Sequence, residues 1–74
     1  MSISYYDFKN LPDQSQQELV MSEGIIISEV YKNELRFVLY ELSSFSVEIV
    51  YSTVNGKIES FTAFQNVGNN NKLE

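Results

Sequence analysis

Glu41 and Glu48 stand on either side of the Ser43-Ser44 break in the stretch RFVLYELSSFSVEIVYS, residues 36–52. A pair of carboxylates is the arrangement from which glycosidases draw a general acid and a general base. If the two runs fold back as a hairpin, these side chains become diagonal neighbours about 7 to 8 Å apart on one face of a sheet. That separation is nominally suitable. The surroundings are not, because a chain of 74 residues is too small to build the water-excluding cleft that drives two carboxylate pKa values apart. The expectation is that both are solvated charges that keep an apolar sheet soluble, and no catalytic residue is assigned. Tyr40 and Tyr51 with Glu48 offer an alternative, the polar groups of a small-ligand or weakly catalytic pocket between helix and sheet. The hairpin register turns Glu48 away from the helix, which counts against that pocket.

The rest of the usual chemical kit is missing. With neither cysteine nor histidine there is no disulfide framework, no thiolate metal site, and none of the commonest zinc ligand or general base. Gly24, Gly56 and Gly68 are isolated turn or cap residues rather than a phosphate loop, and no acidic cluster has the spacing of a calcium loop. No cofactor or metal is therefore expected. The net charge of -5 repels a phosphate backbone, and Arg36 is the only basic group within the interiors of the expected strands, Lys57 standing at the end of one. The aromatic residues spread over the sheet are thus not a nucleic-acid stacking platform. The N-terminus MSISYYDFKN lacks the basic and apolar regions of a signal peptide, and no apolar run approaches the roughly 20 residues that cross a bilayer. A soluble cytoplasmic protein is expected.

The segment LPDQSQQELVMSEG, residues 11–24, predicts one helix with both ends marked. Pro12 suits the first helical position, Asp13 and Glu18 lie toward the positive end, and Gly24 is placed for a left-handed cap. Leu11, Ser15 and Leu19 align on one face, which Val20 and Met21 widen by a turn. A helix of about 12 residues is marginal alone in water, so it must be held by packing. Tyr5, Tyr6 and Phe8 upstream would extend that contact.

Beyond Gly24 the apolar period changes from about 3.6 to 2, which predicts strands over 25–31, 34–42, 45–52 and 57–65. Every connection is too short for a parallel crossover, so the sheet is an antiparallel meander in the order 1-2-3-4. A turn at Ser43-Ser44 sets Leu42 opposite Phe45, Tyr40 opposite Val47, Val38 opposite Ile49 and Arg36 opposite Tyr51. A turn at Lys32-Asn33 adds Ile25, Ile27, Glu29 and Tyr31 to that face and places Glu29 across from Arg36. Two turns suit the last hairpin. A two-residue loop at Asn55-Gly56 sends Ile58 and Phe64 to the same face, and a three-residue loop over 54–56 sends Phe61 and Ala63 there instead. The spacing Ile58, Phe61, Phe64 fits neither alternation and predicts a bulge.

Residues 1–65 are thus read as a single α+β domain, one N-terminal helix packed on a four-stranded antiparallel meander. The asparagine-rich stretch 66–74 is expected to be a disordered tail, and its closing Leu73-Glu74 matches a vector-derived scar. One helix cannot cover both sheet faces, yet the second carries Ile26, Val30, Leu35, Phe37, Leu39 and Val50, with Glu48 at its margin. Either the tail or the segment before the helix covers part of it, or it is a surface for a protein partner, most simply a homodimer. A third expectation is an acidic, inhibitor-like partner of a basic protein, steered by its carboxylates.

The pattern LPDQSQQEL, Gly24, LYELSSFSVEIVYS and the aromatic at Phe64 resembles a family of small bacterial α+β proteins with no known activity. In this sequence Leu39, Tyr40, Leu42, Phe45, Val47, Glu48 and Tyr51 carry the likeness, over roughly residues 8–64. The resemblance implies the same fold and adds no activity.

Overall fold

A computed structural model describes residues 3–65. Two helices, α1 (Tyr5–Lys9) and α2 (Asp13–Glu23), precede four strands, β1 (Ile25–Lys32), β2 (Leu35–Glu41), β3 (Phe45–Ser52) and β4 (Ile58–Gln65). The strands form one antiparallel sheet in the order β1-β2-β3-β4, the α+β meander expected from the sequence. The expected tail, 66–74, lies outside the described residues.

The helical layer has an additional element, α1. Its start is fixed locally, because the Ser4 hydroxyl accepts the Asp7 N–H at 3.1 Å, satisfying one of the amides that every helix start leaves open. Its purpose is to deliver Phe8, which is fully buried against Phe45 with ring centroids 4.8 Å apart and stacks on Phe61 at 6.4 Å. A buried Gln16 on α2 then joins the two helices. Its side-chain amide donates to the carbonyls of Leu11, at 3.0 Å, and Lys9, at 3.4 Å, where α1 has ended and its acceptors lack helical partners. Val20 is the fully buried apolar contact of α2, whereas Met21 is exposed.

Both expected end signals of α2 act differently from the prediction. Pro12 stands one position earlier, as the cap residue, with φ -59 and ψ 154, and its carbonyl accepts the Gln16 N–H at 3.0 Å. Gly24 is extended, at φ -74 and ψ 145, and not left-handed. Glycine is required there by a close approach: a Cβ would lie 2.6 Å from the Val20 carbonyl oxygen and 3.2 Å from the Tyr40 side chain.

The core lies between the helices and one sheet face, with Phe8, Val20, Val38, Tyr40, Leu42, Phe45, Val47 and Ile49 all buried. The segment before the long helix therefore packs on this face, with Ile3 and Tyr5 against the same cluster. Pairing of β2 with β3 follows the predicted register throughout, Arg36 with Tyr51, Val38 with Ile49 and Tyr40 with Val47. The Leu42 N–H donates to the Phe45 carbonyl at 2.9 Å across the serine turn.

The outer hairpins depart from prediction. The first turn is Asn33-Glu34, both at positive φ (53 and 62), the backbone of a type I′ turn. Lys32 therefore pairs with Leu35 and Tyr31, not Glu29, with Arg36. A bulge between Ile26 and Ser28 then turns the strand over, so that Ile26 lies across from Tyr40 on the helix side. The last hairpin uses neither proposed loop. The Ser52 N–H donates to the Lys57 carbonyl, and residues 53–56 wrap over the Ser52 hydroxyl, which accepts from Val54 and Asn55. The expected bulge is present between the pairs Val50 with Ser60 and Tyr51 with Ile58, so Ile58, Phe61 and Ala63 all face the helix side and Phe64 does not.

Candidate interaction surface

Alternation carries every second strand residue away from the helices. Across the pairs, this open face is a set of rows: Val30, Phe37, Val50 and Ser60; then Ser28, Leu39, Glu48 and Thr62; then Ile25, which the bulge moves off the expected helix face, with Glu41, Ser46 and Phe64; and Lys32, Leu35 and Ser52 at the other end. Of the residues expected on this face, Val30, Leu35, Phe37, Leu39, Glu48 and Val50 are brought together, and Ile26 is not. Phe64, which sequence reasoning left undecided, joins them at the far corner.

The apolar block is confined to β1, β2 and β3, since β4 contributes Ser60 and Thr62 beside it. Its centre is less exposed than the sequence suggests. Val50 is only 6% exposed, Leu35, Phe37 and Leu39 are half-buried, and Val30 is 51% exposed. The physical reason is lateral. β3 is an interior strand, so its side chains have a neighbour on both sides, and Val50 stands between the larger Phe37 and Ser60.

Glu48 is half-buried between Leu39 and Thr62, and Glu41 is exposed one row away, the diagonal placement expected. Tyr40 and Tyr51 lie on the helix side and hydrogen-bond to each other, O–O 3.1 Å, so the sheet itself separates them from Glu48. A depression of about 310 Å³ is lined instead by Lys9, Leu11, Asp13, Gln16, Gln17 and Phe61. Among the described residues no group of three or more carboxylates, cysteines or histidines is placed to hold a metal ion, and no helix is long and apolar enough to cross a membrane.

A polar network that the sequence only half announced occupies the helix side near the first hairpin. The Arg36 guanidinium bonds the Glu29 carboxylate diagonally and lies 5.1 Å from the centroid of the Tyr51 ring, while the Tyr31 hydroxyl donates to Glu29 at 3.3 Å. The hydrogen bond from Arg36 holds the Glu29 carboxyl below its ordinary range, outweighing slight desolvation. Burial pushes the Tyr51 phenol up to about 12, helped by its bond to Tyr40 and opposed by the Arg36 charge.

That shift carries a pH dependence. A phenol whose pKa is higher folded than unfolded stays protonated in the native state while the unfolded chain ionises, so its contribution is full below about pH 10 and declines as pH rises toward 12. Urea unfolding at about pH 9 and about pH 11.5 should show a loss of roughly 1–2 kcal/mol that Tyr51→Phe lacks, after allowance for the ring's partial exposure. Equal losses in both proteins would assign the decline to other groups.

Comparison with protein families, curated proteins and solved structures finds no match for this chain. The residues of the sequence resemblance divide by physical role: Tyr40, Leu42, Phe45 and Val47 are core, and Leu39 and Glu48 are on the open face.

Proposed function

We propose that this chain is a non-enzymatic interaction module that self-associates as a homodimer through the open face of its sheet. The observation that carries the reading is the contiguous block Val30, Leu35, Phe37, Leu39 and Val50 on the face opposite the two helices. Two such faces stack as in a β-sandwich, about 10 Å apart. With strands ~4.8 Å apart and ~3.3 Å of rise per residue, a four-stranded face offers only about 400 Å² of flat contact per copy. That is about half of what each partner contributes in a stable specific complex, so the dimer is weak, transient and concentration-dependent. Glu48 sets the alignment, since an unpaired carboxylate buried between sheets costs several kcal/mol. The copies must therefore overlap on the Phe37 side and leave Glu48 in water. The net charge of -5 argues against nucleic acid as the partner.

Sedimentation at about 10 μM and about 1 mM should show a shift from monomer toward dimer, and Phe37→Asp should remain folded and monomeric at both. A wild-type monomer at both concentrations, or a Phe37→Asp chain that simply unfolds, would overturn the reading.

A further inference from the structure

β1 differs from the other strands in having no covered side. All eight of its residues are exposed, Ile25, Ile26, Ile27, Val30 and Tyr31 at 51–65%, and none enters the buried core. It is also an edge, paired among the described residues to β2 alone. An edge strand presents unpaired backbone donors and acceptors, and proteins commonly blunt such edges with charge or with bulges. Here the bulge is confined to Ile26–Ser28, and the pairing is regular from Ser28 to Lys32.

The backbone hydrogen bonds of β2 determine which groups of β1 face outward. The Leu42 N–H bonds the Phe45 carbonyl and the Thr53 N–H bonds the Glu34 carbonyl, so even-numbered residues of β2 direct their backbone groups to β3. Leu35, Phe37 and Leu39 then bond Lys32, Val30 and Ser28 on β1. Glu29 and Tyr31 are left with N–H and C=O directed away from the sheet, as two adjacent sockets on the free edge.

We propose that this edge pairs with β1 of a second copy, antiparallel, to give a continuous eight-stranded sheet. A two-fold axis normal to the sheet is the symmetry that makes two identical edges antiparallel with like faces aligned. Three registers bring the sockets into play. Centring on Glu29 sets two carboxylates directly opposite each other, which is repulsive, and uses only one fully paired residue position. Centring on Tyr31 runs Glu29 into the turn. Centring on Val30 pairs Glu29 of each copy with Tyr31 of the other, so both sockets are filled and four backbone hydrogen bonds form. In that register Val30 meets Val30 on the open face beside Phe37, and Ser28 stands across from Lys32. The contact uses β1 once per copy and so closes as a dimer instead of growing. It is independent of the stacked-face dimer, which leaves these backbone groups in water.

Amide hydrogen exchange resolved by residue separates the two. At about 1 mM, against about 50 μM, the Glu29 and Tyr31 amides should slow several-fold, while the amides of the 53–56 loop, which is not on this edge, stay unchanged. Tyr31→Pro removes one outward donor without touching a bond to β2 and keeps the Glu29 to Arg36 pair. It should fold, as judged by a dispersed amide spectrum, and should lose the concentration dependence at Glu29. In a second variant, Val30→Lys, like charges meet on the axis and the same loss is expected. Concentration-independent exchange at Glu29 and Tyr31 in the wild type, or protection at Glu29 that survives in folded Tyr31→Pro, would overturn the proposal. Phe37→Asp should leave the edge protection intact, which distinguishes failure of the edge from failure of the face.

Discussion

Replacing Phe8 by Ala is expected to cost about 3–4 kcal/mol, most of what a domain of this size has available. The ring is fully buried, it packs on Phe45 at 4.8 Å and Phe61 at 6.4 Å, and α1 supplies no other buried side chain. The cavity would not close easily. Phe45 and Phe61 are fixed on paired strands, and Gln16 holds the end of α1 by the carbonyls on either side of the chain turn. Urea unfolding followed by far-ultraviolet circular dichroism measures the loss. A change below about 1 kcal/mol would mean that α1 does not dock on the sheet in solution.

The second large effect is expected from Gly24→Ala, at roughly 2–3 kcal/mol. Its backbone conformation suits any residue, so the penalty comes from space alone. An added methyl would lie 2.6 Å from the Val20 carbonyl oxygen, which cannot retreat while it accepts the Gly24 N–H at 2.8 Å. On the other side stands Tyr40, packed in the core and bonded to Tyr51. The variant must therefore open the joint between α2 and β1. Denaturant unfolding measures the size, and an unchanged midpoint would show that the joint is looser than the packing described. Gly56 contrasts with it, a glycine with open space around it and φ of +76, required by backbone conformation instead.

Both effects fall where sequence reading was weakest. Phe8 was legible only as an aromatic upstream of the helix, because five residues are too few for a periodic signal and α1 depends on one capping serine and one buried ring. Gly24 was legible as a helix terminator, but the sequence cannot show Tyr40, 16 positions onward, approaching its backbone. The candidate surface divides in the same way. Phe37, Leu39, Val50 and Glu48 were assigned correctly to one face because the serine turn and strict alternation leave β2 and β3 a single good register. Ile26 was misassigned because a bulge in β1 reverses the alternation, whereas the turn, which places Glu34 at a positive φ its side chain does not favour, shifts the register by two residues and leaves the faces unchanged.

By itself the sequence determined what is local and periodic: an α+β chain, a meander with the order of its strands, the central hairpin register, and the absence of histidine and cysteine chemistry. These follow from period, turn length and composition, which neighbouring residues carry among themselves. Tertiary structure decided what depends on which surfaces meet. It showed that the helices cover the side of Val38 and Val47, that β1 enters no core, and that Glu29 and Tyr31 turn unpaired backbone outward. Burial is shared between elements distant in sequence, and the direction of an edge amide depends on the phase of the whole ladder. Neither quantity is a property of any short stretch of chain.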